Sequence, residues 1–374
     1  MNSLADLNGL LITNPTNIRY LTGFVGMAPE EREAFALLIK SKIYLFVTPL
    51  YKEAARKLSN NPINQFPNNP IKILEVSREH PIAKELAALT QKLSIKKVGF
   101  EETDLTVSEY QKLKQTLKGV TLVPTKDRIE KLRMIKRSDE IASIKSACKV
   151  TDQCFDDILG KLKPGITEAE IAWEIQTFFR NNNAETAFSP IVAFNKNSSQ
   201  PHYLSTNHEP LTMNSLVLLD FGARVNGYCS DMTRVIFVGK PSDEQKRAYQ
   251  TVLEAQTRVV DAIQQYYDNT YHHSKQPQQL LSGASLDRFA RTIIKKAGFP
   301  PCPHSLGHNV GLDIHEGPRL SDKKEETLLP GMIFSIEPGV YVEGQYGIRI
   351  EDLVRLKKDG IEILTKSSKE IIIL

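Results

Sequence analysis

The chain has 374 residues, long enough for two domains with sizeable cores. Its 48 basic and 44 acidic residues leave a formal charge of +4, and the bases are scattered apart from Lys131, Arg133, Lys136 and Arg137, so a dedicated nucleic-acid surface is disfavoured. No apolar run approaches the roughly 20 residues needed to span a bilayer, and the N-terminal stretch with Asp6 and no basic lead is a poor signal peptide. The four cysteines, Cys148, Cys154, Cys229 and Cys302, form no CxxC pair, which suggests reduced thiols and a cytoplasmic location.

In chain order, strands are expected at Gly9–Thr13, Ala34–Ile39, Lys42–Val47, Ile71–Val76, Lys97–Glu101 and Val120–Pro124. Helices are expected at Tyr51–Leu58, Ile82–Leu93 and Val107–Leu117. That alternation predicts a compact α/β domain around a central sheet. It carries no phosphate-cradling glycine pattern and reads as a scaffold or gate. The strongly charged stretch from Thr125 to Arg137 marks a boundary, dividing the chain into 1–127 and 128–374.

Beyond the boundary, Ser138 is expected to cap a helix with Asp139 and Glu140 in its first turn. Thr167 with Glu170 and Ser242 with Gln245 form capping boxes for two more helices, the second reaching about Gln265. The polar segment Tyr266–Ser282 reads as an inserted loop. Its His272-His273 pair is more simply a solvated pair than a metal site. Leu286–Ala297 is a further expected helix.

Two hairpins carry the chemistry. In "LLDFGARVNGYCSDMTRVIF", Asn226-Gly227 is a strong two-residue turn signal, because both positions accept positive φ. That turn sets Val225 opposite Tyr228 and Gly222 opposite Asp231. Asp220 then lies on the same face as Gly222, a diagonal neighbour of Asp231 at roughly 7–8 Å. A bland reading makes Asp220 a turn acid and Asp231 an exposed strand residue. Near the C-terminus "MIFSIEPGVYVEGQYGIRIEDLVRL" repeats the design with Glu337 and Glu351. With Gln345 central in the turn, Gly339 faces Glu351 and Glu337 is offset by two. Two pairs of converging carboxylates require cations between them.

A third stretch, "HSLGHNVGLDIHEGP", holds His304, His308 and His315, three of only eight histidines in the chain. Four carboxylates and an imidazole exceed what one four-coordinate zinc needs. The oxygen-rich set suits a pair of divalent ions such as manganese, which lower the pKa of a bridging water and polarise a carbonyl. Hydrolysis follows. Cys229 and Cys302, each two residues from a candidate site residue, read as core thiols.

Two aspartates eleven apart, a GHxxG histidine, an IEPG glutamate and a RIED glutamate resemble the pita-bread metallopeptidases, over about Ile129 to Leu374. "NPTNIRYLTGF" resembles the N-terminal domain of the aminopeptidase P and prolidase branch, and "LRMIKRSDEI" its domain junction. The implied fold is an α/β N-terminal domain followed by an α+β pita-bread catalytic domain with pseudo-two-fold paired hairpins.

The resemblance implies Asp220, Asp231, His308, Glu337 and Glu351 as ligands of two divalent ions per subunit, with Asp231 and Glu351 bridging. Mn2+ is the favoured ion, with Co2+, Zn2+ and Fe2+ as alternatives. Glu337 would be the general base acting on the bridging water. His202 and His315 would contact substrate and move protons, with His304 beside them, and Tyr341 and Arg349 would support the site. A strand-face ion pair is the plainer reading of Arg349.

The implied activity is cleavage of the Xaa-Pro bond at the N-terminus of small proline-containing peptides, with Xaa-Pro dipeptidase (prolidase) as the alternative. The resemblance also implies a homodimer, with no nucleic-acid or membrane partner. The chain departs from its relatives at Thr48–Tyr51 and in an enlarged acidic loop, Val25–Glu33. We place that loop at the site entrance, against its plainer reading as a solvated surface loop. A non-enzymatic pita-bread binding module and a metal-free creatinase-like hydrolase are disfavoured, because all five ligand types are present.

Overall fold

The computed structural model describes residues 6–28, 32–40, 42–59, 70–206, 208–273 and 281–374. By backbone contacts the chain divides into two compact units, Met1–Arg133 and Met134–Leu374.

The first unit is built on strands β1 (Gly9–Ile12), β2 (Ala34–Ile39), β3 (Lys42–Val47), β4 (Ile71–Glu75), β5 (Lys97–Glu101) and β6 (Thr121–Thr125). They form one sheet in the order β4-β3-β2-β1-β5-β6. Only the β1–β2 and β2–β3 pairs are antiparallel. Helices Ile82–Lys92 and Val107–Thr116 supply Leu86, Leu89 and Leu113 to a core with Leu11, Leu37 and Phe46. A helix at Pro15–Thr22, absent from the expectations, has a local cause. The Asn14 side chain accepts from Asn17 N at 3.0 Å, Pro15 fits the first helical position, and Gly23 closes the helix at φ +75°. Of the loop Val25–Glu33, residues 29–31 lie outside the described residues. Glu33 accepts hydrogen bonds from Ala28 N and the Tyr51 hydroxyl.

The second unit has two halves of like design. Helices Ser138–Leu159 and Glu168–Asn181 pack Phe155, Ile171, Ile175 and Phe179 onto the sheet that contains Ser215–Phe221 and Met232–Val238. Helices Asp243–His273 and Gly283–Lys296 pack Val259, Ile263, Leu286 and Ala290 onto the sheet that contains Ile333–Ile336 and Asp352–Lys357. Each half therefore presents one antiparallel strand pair with its own two helices packed on it.

Three expectations are corrected here. Ser138 is the first helical residue and not the cap; the helix is closed from within, where Glu140 accepts from Arg137 N at 3.0 Å. The helix expected to stop near Gln265 runs to His273, because Tyr267 continues the buried stripe of Val259 and Ile263 at four-residue spacing. The polar residues beyond it mask that stripe in the sequence. Residues 274–280 of the expected insertion, and the side chains of His272 and His273, lie outside the described residues.

The third correction concerns register. The first hairpin is as its turn dictates: Asn226 and Gly227 have φ of +52° and +88°, and Val225 faces Tyr228. In the second hairpin the loop is Glu343–Gln345, with Gly344 at φ +68°, so Gly339 faces Arg349 and not Glu351. The same register pairs Ile336 with Asp352, which sets Glu337 across from Glu351 without the expected offset.

Candidate active site

Strand pairing delivers the carboxylates. Asp220 lies in Ser215–Phe221 opposite Thr233, and Asp231 immediately precedes Met232–Val238. Glu337 and Glu351 flank the corresponding strands of the other half. His308 lies in the short strand Gly307–Asn309, which pairs with Ile333–Ile336 through Asn309 and Phe334. All five line one cavity of about 990 Å³, together with His202, His304, His315 and Arg349.

Within it, one ligand atom each from Asp231, His308 and Glu351 lie within 4.8 Å of one another, a group that could hold a metal ion. His308 Nε2 is 3.6 Å from Asp231 Oδ2 and 3.4 Å from Glu337 Oε1. Asp220 stands outside the triad, its Oδ2 taken by Arg349 Nη2 at 2.5 Å. Asp220 Oδ1 and Glu351 Oε1 are buried without a hydrogen-bond partner among the described residues. Buried orphan oxygens of this kind need a cation or a proton.

The electrostatics agree. Burial, reinforced by Glu351, Asp220 and Glu337, pushes the Asp231 carboxyl well up from its usual range. Burial and the neighbouring Glu337 and Asp220 do the same to Glu351. Glu337 is raised to about 7, chiefly by burial, with Arg349 opposing. Burial lowers His308 to about 3, leaving a neutral imidazole able to donate its lone pair. Clustered acids beside a neutral imidazole are the donor set a divalent ion would satisfy.

A stability prediction follows. Acids with raised folded-state pKa bind protons more tightly folded than unfolded. In stripped protein their stabilising effect is full below about pH 4.5 and is lost as pH rises through about 7. A divalent ion bound to the folded state offsets that loss. The gap in Tm between metal-loaded and stripped protein is therefore expected to widen from about pH 5.5 to about pH 8. Calorimetry showing a constant gap would contradict the clustering.

The supporting groups are ordered by their donors. Arg349 Nη1 donates to the Tyr341 hydroxyl at 2.6 Å, and that hydroxyl lies 2.9 Å from His304 Nε2. His304 Nδ1 faces the Ser305 carbonyl at 2.9 Å, so Nδ1 carries the proton and Nε2 accepts from Tyr341. His315 packs edge-on against His308, ring centroids 4.5 Å apart. His202 and His315 both reach the open side of the cavity.

Three neighbours escaped the sequence reading. Thr233 Oγ1 accepts from Arg349 Nε at 3.0 Å and donates to Glu351 Oε2 at 2.7 Å. Ser335 Oγ accepts from His308 N at 3.0 Å and donates to Glu337 Oε1 at 3.0 Å. Each lies two residues from a carboxylate, so strand alternation was the available signal. Arg319, opposite His308 in the strand register, is exposed at the cavity wall. Among the described residues its guanidinium has no hydrogen-bond or ion-pair partner.

Residues 142–358 match the model of metallopeptidase family M24, and residues 3–135 match the creatinase/prolidase N-terminal domain. The chain belongs to metallopeptidase family M24. A solved Xaa-Pro dipeptidase from Bacillus anthracis is 35% identical, with TM-score 0.84, over 99% of this chain and 96% of that one. The Xaa-Pro dipeptidase of Pyrococcus furiosus is 31% identical over 98% of this chain and 96% of its own length. An X-Pro aminopeptidase structure from Thermotoga maritima is 29% identical, with TM-score 0.83, over 98% of both chains. Membership brings the expected pita-bread fold, a divalent-metal requirement and a hydrolase's chemistry, and removes the non-enzymatic module. The fold class read from the sequence holds. The dipeptidase names among these relatives favour that alternative over the aminopeptidase reading.

Proposed function

We propose that this metallopeptidase is an Xaa-Pro dipeptidase, cleaving the bond before proline in dipeptides with a free C-terminus. The observation that carries the choice is Arg319, a cation without an ion-pair partner among the described residues, on the cavity wall opposite His308 in register. A dipeptide places its carboxylate one residue from the scissile bond, where a guanidinium can bind it with two parallel hydrogen bonds. The named dipeptidase relatives support the same reading. The aminopeptidase reading keeps one supporting observation, a cavity of about 990 Å³, roomier than a dipeptide requires.

In this reading Asp220, Asp231, His308, Glu337 and Glu351 are the residues that would hold two divalent ions. Bound there, the ions supply Lewis acidity for polarising the scissile carbonyl. The oxygen-rich donors favour Mn2+ over Zn2+. Glu337 takes the proton of the attacking water on its carboxylate, and His202 and His315 hold the substrate and hand a proton to the departing proline nitrogen. That nitrogen belongs to a tertiary amide without an N–H, so the site grips the bond through its carbonyl. The Ser305 carbonyl fixes the tautomer of His304, which leaves Nε2 to accept from Tyr341. The four cysteines are free and buried, which supports a reducing, cytoplasmic setting, and the family resemblance supports a homodimer. No helix among the described residues is long and apolar enough to cross a membrane.

The histidines are expected to separate by role. His308→Ala should lose bound metal, whereas His202→Ala and His315→Ala should retain it and lose about 10²-fold or more in kcat. Metal analysis finding depletion in His315→Ala but not His308→Ala would reverse the assignment. For the function itself, chelator-stripped protein should be inert on Xaa-Pro dipeptides and recover with Mn2+. Full activity without metal, or activity confined to Met-Ala peptides, would overturn the proposal.

A further inference from the structure

A second buried cluster of charge lies on the other strand face from Thr233 and Glu351, and the reaction as proposed does not use it. Arg234 and Asp352 follow those residues directly, so alternation turns their side chains away from the cavity. Both side chains are buried, at 1% and 0% exposure. Arg234 spends all five of its donors. Nη1 donates to the carbonyls of Thr233 at 2.9 Å and Glu351 at 2.5 Å. Nη2 donates to Asp352 Oδ1 at 2.7 Å and Ser367 O at 2.8 Å, and Nε to Ser368 O at 3.0 Å. Asp352 is equally saturated. Beyond Arg234 it accepts from Thr365 Oγ1 at 2.9 Å, Gln256 Nε2 at 2.7 Å and Lys369 Nζ at 2.7 Å.

A buried ion cluster is a poor device for stability alone, since apolar side chains of similar volume often serve as well. What this one does is fix Glu351. The Glu351 carbonyl is held by Arg234, and its N–H donates to Thr233 O at 3.2 Å. Its Oε2 is held by Thr233, leaving Oε1 as the unpartnered oxygen. The cluster holds two cations and one anion, so it also sets a net positive charge behind four clustered carboxylates.

We propose that Arg234, Asp352 and Lys369 are positioning residues for the metal centre. The inference rests on Glu351 being a metal ligand. Groups that orient a ligand from behind change metal affinity by about 10–100-fold when removed.

The test is a Co2+ titration of stripped, full-length protein, followed by the visible absorption of the bound ion. Asp352→Asn, and the milder Lys369→Met, are compared with Asp152→Ala. Asp152 holds the segment Thr365–Lys369 from elsewhere, accepting from Lys366 N at 2.9 Å and Ser367 N at 2.8 Å without touching Arg234 or Asp352. Asp352→Asn and Lys369→Met should weaken Co2+ binding about tenfold or more and alter the spectrum of the bound ion. Asp152→Ala should lower Tm yet keep Co2+ affinity within about twofold. Wild-type affinity in both cluster variants, or a loss in Asp152→Ala equal to theirs, would overturn the inference. Wild-type protein that binds no Co2+, or Glu351→Gln binding as wild type does, would instead remove the metal reading, and this inference with it.

Discussion

Asp231→Asn and Glu351→Gln are each expected to abolish turnover, by about 10³-fold or more, and to deplete bound metal. Losing one electrostatic group at a reaction centre already costs about 10²–10³, and these carboxylates are two of the three groups whose ligand atoms converge within 4.8 Å. The amide replacements keep the shape, remove the charge and turn one acceptor oxygen into a donor nitrogen. Stability should move in the opposite direction. Burial and mutual repulsion hold both acids well above their usual pKa in the metal-free protein, so removing either charge should raise the Tm of stripped protein at neutral pH. Activity lost while stripped-protein Tm rises is the signature of a site built for cations. Retention of metal and activity by either variant would contradict it.

Arg319→Ala is expected to lower kcat/KM on Xaa-Pro dipeptides by about 10- to 100-fold, the scale of one charge-assisted hydrogen bond of about 1.5–3 kcal/mol. Metal content should be unchanged, because no ligand atom is removed. Hydrolysis of longer Xaa-Pro peptides should change little, since their carboxylate lies elsewhere. The loss should reside mostly in KM if Arg319 grips substrate and transition state alike. Equal losses on dipeptides and tripeptides, measured by release of the N-terminal residue, would leave Arg319 without a part in choosing substrate length.

Much of this was written in local pattern. Asn226-Gly227 needs positive φ at both positions, so its hairpin has one register, and Asp220 and Asp231 fall on one face as a consequence. The strands of the first unit stand out as apolar runs between turn residues. The second hairpin was less legible because a loop of three residues can centre on Gly344 or Gln345, and moving the centre by one shifts the pairing by two, which separates facing from offset glutamates. The helix past Gln265 was hidden because, among the described residues, Tyr267 is the last buried one before a polar stretch. Thr233, Ser335 and Arg319 were passed over because hydroxyls and a lone arginine in a strand look ordinary until tertiary pairing sets them beside carboxylates and histidines. Arg234 and Asp352 meet the segment around Ser367 only through contacts more than a hundred residues apart in the first case, which no local pattern encodes.

The most direct measurement is kcat/KM, in the presence of Mn2+, for one Xaa-Pro dipeptide, its C-terminal amide, and the tripeptide that extends it by one residue. A carboxylate-reading dipeptidase should prefer the free dipeptide over both by about tenfold or more. A tripeptide cleaved as well as the dipeptide, with the amide unimpaired, would contradict that account and return the protein to the aminopeptidase reading.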